Sequence, residues 1–142
     1  MKEANCIFCK IASGEIPSSK VFENDRVLAF LDSGPLSPGH TLLIPKDHFR
    51  DLRDISGEAL GAVLAVAPRI ADAVMKTTGA TGLNFLQNTG ATSGQAVFHV
   101  HFHLIPRGEA DGLGYRWNAG KYAESELETY RARIAKALGS ST

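Results

Sequence analysis

Residues 99 to 106 read His-Val-His-Phe-His-Leu-Ile-Pro, in which histidine alternates with apolar residues. β-Branched, aromatic and aliphatic residues favour an extended backbone, and successive side chains of a strand point to opposite faces. The alternation therefore predicts a strand over 99–106 whose apolar side chains pack on a core and whose other face carries His99, His101 and His103. Imidazoles attack, donate protons or bind metals near neutral pH, so this row indicates a site of chemistry.

The length of 142 residues predicts a single domain, 1–142. Fifteen basic residues balance fifteen acidic ones, and the formal net charge is zero. Such a chain has no general electrostatic attraction to nucleic acid or to an anionic membrane, so we expect neither as a partner. The sequence contains no signal-peptide pattern and no apolar run of about 18 residues, which predicts a cytoplasmic protein.

The only cysteines, Cys6 and Cys9, form one Cys-x-x-Cys pair. In a reducing cytosol this pattern indicates metal binding or redox chemistry rather than a structural disulfide. No βαβ pattern of the thioredoxin kind accompanies the pair, which disfavours the redox interpretation.

Hydrophobic periodicity and turn residues predict an α+β fold around a mostly antiparallel sheet. The predicted elements are a short helix at 4–13, strands at 20–23, 26–31, 40–45, 83–88 and 99–106, one long helix, and a helix near the end of the chain. Strands and helices do not alternate regularly along this order, which argues against a parallel sheet.

The long helix is predicted to begin after Ser56 as N-cap and to end at Gly79. Its expected buried stripe consists of Leu60, Val63, Leu64, Ala67, Ile70, Ala71 and Val74. Pro68 lies inside the stripe and predicts a kink. A capping box, Ser125-Glu-Leu-Glu128, predicts the start of the last helix, with Gly139 as its stop. The apolar stripe expected for that helix is Leu127, Tyr130, Ile134 and Leu138.

Other features surround the histidine strand. The small residues of the loop 90–94 allow backbone N–H groups to turn toward phosphate oxygens, although such a loop is also an ordinary hairpin connection. Asp32 follows an apolar strand, where its carboxylate either accepts hydrogen bonds from a ribose diol or caps a turn. His40 and His48 flank the strand that ends at Pro45, and each is also compatible with a surface position.

The triplet resembles the motif of the histidine triad superfamily. The sequence is similar to its nucleotide-binding Hint-like branch, especially the bacterial members, over about residues 4–107, with a looser C-terminal extension at 108–142. The further segments that carry the resemblance are Cys6-Ile-Phe-Cys-Lys-Ile11, Glu15-Ile-Pro17, Val27-Leu-Ala-Phe-Leu-Asp32, Gly39-His-Thr-Leu-Leu-Ile-Pro-Lys46 and Asn88 through Gln95.

This resemblance implies a five-stranded antiparallel sheet with one long and two shorter helices, paired with an identical subunit into a homodimer. It also implies a hydrolase that binds purine nucleotides and cleaves nucleoside phosphoramidates and adenylates at the α-phosphorus. No cofactor is needed for that chemistry.

The resemblance assigns the middle histidine, His101, as a nucleophile that forms a nucleotidyl-histidine, with the carbonyl of His99 accepting its other N–H. His103 contacts the α-phosphate and assists the leaving group, and His40 completes the catalytic set. The implied nucleotide-binding residues are Ile7, Phe8, Ile11, Phe30, Asp32, Ser33, Asn88, Gly94, Gln95, Ala96, Val97, His101 and His103.

One position departs from the family pattern. Many Hint-like proteins have a serine where this chain has Ala96, and that serine donates a hydrogen bond to the departing amine. Its loss removes about 0.5–1.5 kcal/mol net, which leaves hydrolysis possible but puts a preference for phosphoramidates in doubt.

The superfamily pattern further implies a structural zinc ion held by Cys6, Cys9, His48 and His99, since closed Cys₂His₂ tetrahedra are a common structural zinc form. The alternative is that both cysteines are small buried residues without a metal.

Three other functions are weighed against the hydrolase. A zinc enzyme with the three strand histidines as ligands is disfavoured because they span ~14 Å along an extended strand. A regulatory module that binds nucleotide with little turnover uses the same residues and stays open. Dinucleoside polyphosphate hydrolysis, as in the fragile-histidine-triad branch, is disfavoured by Asn88, where that branch has glutamine.

Overall fold

The computed structural model describes residues 2–114 and 118–139. Its helices and strands are α1 (Ile7–Ala12), β1 (Lys20–Glu23), β2 (Val27–Leu31), β3 (Thr41–Pro45), α2 (Gly57–Thr78), β4 (Gly82–Gln87), β5 (Phe102–Arg107) and α3 (Glu126–Gly139). The strands form one antiparallel sheet in the order β1-β2-β3-β5-β4. This confirms the predicted five-stranded sheet with one long and two shorter helices. In the described ranges, no helix is both long and apolar enough to cross a membrane.

The sheet separates two apolar clusters because side chains alternate along each strand. On one face α2 covers the strands, and the buried residues there are Val27, Ala29, Leu43, Val63, Ala67, Ile70, Val74, Val100, Phe102 and Leu104. On the other face α1 places Phe8 against Leu28, Phe30, Leu42 and Ile44. His103 pairs with Leu42 in the register of β3 and β5, and paired residues share a face. His103 therefore lies on the face that α1 covers.

The long helix begins and ends as its sequence predicts. The Ser56 side chain accepts the Ala59 N–H, and Gly79 adopts a left-handed φ of 71° as the helix ends. Pro68 is exposed and lies within an uninterrupted helix. The expected stripe is wrong at Leu64, which is 43% exposed, because a residue next to Val63 is rotated about 100° away from the core.

The histidine strand is shorter than predicted. β5 begins at Phe102, so His99 and His101 precede the regular ladder. In this stretch the Val100 N–H donates to the carbonyl of Phe49 at 2.7 Å instead of pairing with a strand. The three histidines nevertheless lie on the α1 side, where the Phe8 ring contacts both His99 and His101.

The capping box predicted for α3 does not form. Ser125 has a φ of 63°, unlike the extended backbone of an N-cap residue, and the Glu126 carboxylate accepts the N–H of Ala123. Gly139 belongs to the helix rather than following it. The apolar stripe of α3 is solvent-exposed: Leu127, Tyr130, Ile134 and Leu138 are 49–67% exposed.

Candidate functional site

A cleft of about 790 Å³ opens on the α1 side of the sheet. Its walls consist of Ile7, Phe8, Ile11, Pro17, Ser18, Ser19, Phe30, Leu31, Asp32, Ser33, Leu42, Gly94, Ala96, Val97, His101 and His103. Every residue predicted to bind nucleotide lies in these walls except Asn88 and Gln95. A second cavity, of about 810 Å³, lies against α2 and contains none of the histidines, so the smaller cleft is the candidate site.

His101 is held in one tautomer. Its Nδ1 lies 2.7 Å from the His99 carbonyl oxygen, which can only accept, so Nδ1 carries the proton. Burial lowers the pKa of His101, and the ring is neutral at physiological pH. The lone pair of a neutral ring protonated at Nδ1 resides on Nε2. The arrangement therefore provides a nucleophilic nitrogen.

A second hydrogen-bonded chain fixes His103. The Leu36 N–H donates to Nδ1 of His40 at 3.1 Å, so the proton of neutral His40 resides on Nε2. That Nε2 lies 2.9 Å from Nδ1 of His103, which must accept, and the His103 proton therefore resides on its own Nε2. Burial and the neighbouring imidazoles of His101 and His40 lower the pKa of His103 to about 4. His103 is thus a neutral ring with an Nε2–H donor.

Donor atoms of Asp32, His40 and His103 also lie within 4.8 Å of one another, as in a metal site. A metal on Nε2 of His40 would require the proton on Nδ1, where the Leu36 N–H already points. Two donors would then face each other. This cluster is therefore arranged for hydrogen bonding rather than for metal coordination.

The glycine loop is supported from behind by Gln95. The buried side-chain amide accepts the Gly90 N–H at 2.8 Å and donates to the carbonyls of Arg50 and Val97. The Gln95 N–H also donates to the Gly90 carbonyl. These bonds occupy the polar groups that were expected to contact nucleotide, and they explain why Gln95 does not line the cleft.

Asn88 lies beneath the same loop. A Cβ at Gly94, whose φ is 107°, would lie 3.5 Å from the Asn88 side-chain nitrogen, so the two residues are closely packed. Across the described ranges, the Ala96 N–H has no hydrogen-bond partner. Ala96 lines the cleft, so its N–H is a donor that no described group of the protein occupies.

The structure brings together Cys6, Cys9, His48 and His99, whose donor atoms all lie within 4.8 Å of one another. Sulfur-to-Nδ1 separations are 3.4 Å for Cys6 and His99, 3.5 Å for Cys9 and His99, and 3.5 Å for Cys9 and His48. Bonds of about 2.3 Å to sulfur and about 2.05 Å to nitrogen separate such ligands by about 3.6 Å around a tetrahedral zinc ion. The four side chains therefore fit zinc.

The outer contacts of this cluster also suit a metal. Nε2 of His99 lies 2.8 Å from the Pro45 carbonyl and Nε2 of His48 lies 2.9 Å from a Glu3 carboxylate oxygen, so each ring presents Nδ1 inward. The Cys9 N–H donates to the Cys6 sulfur and the Glu3 N–H donates to the Cys9 sulfur. N–H donors of this kind stabilise thiolates, the form in which cysteine binds metals.

Sequence reasoning missed Leu36 and five residues of the cleft walls, which are Pro17, Ser18, Ser19, Leu31 and Leu42. Leu36 acts through its backbone N–H, which no side-chain pattern reveals. Ser18 lines the cleft although no motif in the sequence marks it as a site residue.

Fold and cleft together define a histidine-based site on an antiparallel α+β scaffold. A family model described as the HIT domain matches residues 13–110, and the chain belongs to this family. It is 45% identical over 140 residues to Protein hit of Bacillus subtilis (strain 168), covering 96% of this chain and 97% of the relative.

Two other relatives carry names of activities. The chain is 44% identical over 121 residues to adenosine 5′-monophosphoramidase HNT1 of Candida albicans, covering 82% of this chain and 80% of the relative. It is 45% identical over 109 residues to adenylylsulfatase HINT3 of Arabidopsis thaliana, covering 77% of this chain and 55% of the relative.

Solved structures agree with the fold. SMU.412c from Streptococcus mutans superposes with a TM-score of 0.92 at 41% identity, covering 96% of this chain and 87% of that one. A Zn-bound histidine triad family protein from Mycobacterium smegmatis superposes with a TM-score of 0.73 at 37% identity, covering 97% and 98%.

Proposed function

We propose that this HIT-family protein is a hydrolase that cleaves purine nucleoside phosphoramidates and adenylates at the α-phosphorus through a nucleotidyl-histidine on His101. The observation that carries the proposal is the 2.7 Å contact between Nδ1 of His101 and the His99 carbonyl, which leaves Nε2 as the free lone pair. A buried, neutral imidazole with this tautomer is suited to nucleophilic catalysis.

In the first step Nε2 of His101 attacks the α-phosphorus, and the bond from phosphorus to the leaving group breaks. The His101 ring becomes cationic, and the His99 carbonyl stabilises its Nδ1–H. Binding of a phosphate anion raises the pKa of His103. Nδ1 of His103 then takes the Nε2 proton of His40, and His40 regains a proton from solvent on Nδ1 in place of its contact with the Leu36 N–H. His103 passes its own Nε2 proton to the leaving group.

In the second step water attacks the same phosphorus, and the bond to Nε2 breaks. His103 accepts the proton of the attacking water and later releases it to solvent. The nucleoside monophosphate leaves, and His101 and His103 return to their neutral forms. Splitting one displacement into two is the advantage of a covalent intermediate.

The remaining walls provide binding. Asp32 is assigned to the ribose diol, with Ser33 beside it, and the Ala96 N–H to a phosphate oxygen. The apolar walls are assigned to the purine base and consist of Ile7, Phe8, Ile11, Phe30 and Val97. Catalysis by such a site depends on positioning and on fixed dipoles.

The named relatives support adenosine nucleotides as substrates and vary in the group attached to phosphorus. One is called a phosphoramidase and the other an adenylylsulfatase. Because Ala96 has no hydroxyl for a departing amine, we do not restrict the proposal to phosphoramidates. Incubation of the pure protein with adenosine 5′-phosphoramidate and with adenosine 5′-phosphosulfate tests it. Release of AMP from either supports hydrolysis, whereas nucleotide binding without AMP release identifies the regulatory module instead.

We also propose that Cys6, Cys9, His48 and His99 bind a structural zinc ion. The matching separations of sulfur and nitrogen and the outward contacts of both rings support this assignment. When bound, zinc would supply a cross-link between α1 and the segment before β5, and it takes no part in the reaction.

A homodimer completes the proposal. β4 is an edge strand of the sheet, and edge strands are normally protected from unwanted pairing. Phe85 and Leu86 on β4 are 40% and 36% exposed, and the apolar stripe of α3 is exposed as well. An identical subunit would cover these surfaces. Sedimentation at micromolar concentration should give a dimer, and a monomer there would contradict this part of the proposal.

A further inference from the structure

The hydroxyl oxygen of Ser18 is buried and has no hydrogen-bond partner. Among the residues that the structure describes, it is the one buried side-chain nitrogen or oxygen in this state. Buried polar groups in native proteins are nearly always hydrogen-bonded, and each exception needs an explanation. An absent ligand is one explanation, provided that the group lies at a binding site.

Ser18 does lie at the candidate site. It lines the cleft together with Ile11, Phe30 and Asp32. The carbonyl of its neighbour Ser19 accepts the Leu31 N–H at 2.9 Å, which fixes this segment beside the end of β2, directly before Asp32. Ser18 is therefore a polar group among apolar walls, close to the carboxylate assigned to the ribose.

A serine hydroxyl at this position can hydrogen-bond to a ligand without movement of the backbone. It provides one donor and two acceptor lone pairs, and χ1 rotation moves the oxygen between three staggered positions. In the observed rotamer the oxygen is covered. Rotation toward the cleft would expose it to a bound molecule and satisfy the hydroxyl.

We propose that the Ser18 hydroxyl donates a hydrogen bond to N3 of a bound purine. This inference rests on the proposed function, because it takes the ribose to be held by Asp32. The edge of a base nearest its ribose then lies nearest Ser18, and the acceptor at that edge of a purine is N3. Apolar walls cannot recognise this atom, so Ser18 is a specificity-determining residue.

Calorimetric titration with AMP and with 3-deaza-AMP, in which a C–H replaces N3, tests the assignment. Ser18→Ala should weaken AMP binding about two- to tenfold, the effect of one net hydrogen bond. The wild type should prefer AMP to 3-deaza-AMP by the same factor, and the variant should bind both equally. Ser13→Ala is the control, since the Ser13 hydroxyl is exposed and donates to the Lys10 carbonyl.

Ser18→Ala should fold normally, with an unchanged or higher thermal midpoint, because it removes an unpaired hydroxyl. Equal loss of affinity for AMP and 3-deaza-AMP, or no loss for either, would overturn the assignment. If Ser18→Ala weakens binding of AMP but not of 2′-deoxy-AMP, the Ser18 hydroxyl contacts the ribose instead of the base. If the wild type binds no AMP, the proposed function itself fails, and the Ser18 assignment fails with it.

Discussion

The backbone carbonyl of His99 lies 2.7 Å from Nδ1 of His101, while the ring of His99 lies within 3.5 Å of both cysteine sulfurs. One residue thus contacts the proposed nucleophile, His101, through its backbone and the candidate zinc site through its side chain. The carbonyl that fixes the His101 tautomer is positioned by the same residue that the metal would hold. Metal binding should therefore support catalysis without taking part in it.

Cys9→Ser should abolish zinc binding, lower the thermal midpoint and reduce turnover of the nucleotide. Protein purified without chelator should contain about one zinc per chain, measured by metal analysis. Wild-type protein stripped with a chelator is the matched control, and it should unfold at the temperature of the variant. Metal-free wild type with an unchanged thermal midpoint would contradict the structural role.

His103→Ala should lower kcat about 10²- to 10⁴-fold for adenosine 5′-phosphoramidate, the range of a general acid. The loss should be much smaller for a substrate whose leaving group departs without a proton, such as a p-nitrophenyl ester of AMP. The reason is that, in the proposed mechanism, the Nε2 proton of His103 passes to the leaving group. Equal losses with both substrates, measured by steady-state kinetics, would show that His103 only binds the phosphate.

Nucleotide affinity should depend on pH through His103. Burial and the neighbouring imidazoles lower its pKa to about 4, and a bound phosphate anion would raise it. Between about 4 and that raised pKa, phosphate binding is accompanied by uptake of a proton, so affinity increases as pH falls toward 4. Adenosine 5′-methylphosphate is the probe because it remains a monoanion over this range. Adenosine is the control without charge, and a pH-independent affinity for the methylphosphate would refute the linkage.

Much of the fold could be predicted from local signals. Ser56 and Gly79 define α2 because capping depends on adjacent residues, and the five strands follow from alternation. The start of β5 could not be predicted, since it depends on the backbone contact between Val100 and Phe49. The stripe of α3 shows that periodicity predicts an amphipathic helix but does not identify what covers it.

Some features of the candidate site could likewise be predicted from the sequence, whereas others depend on the folded backbone. The alternating histidines and the Cys-x-x-Cys pair are visible in the sequence. The structure places both cysteines within 4.8 Å of the donor atoms of His48 and His99. The orientation of the Gln95 side chain could not be predicted from the sequence. An amide can hydrogen-bond in several directions, and the one adopted depends on the folded loop, where it bonds to Gly90 and Arg50. Tautomers of His40 and His103 depend on the Leu36 backbone, which carries no side-chain signal.

The most direct measurement is the identification of the covalent intermediate. Wild-type protein is mixed with adenosine 5′-phosphoramidate, quenched within one turnover and digested for mass spectrometry. We expect an adenylyl group on His101, and we expect His101→Asn to form no adduct while binding AMP with nearly wild-type affinity. An adduct on another residue, or wild-type turnover by His101→Asn, would contradict the proposed mechanism.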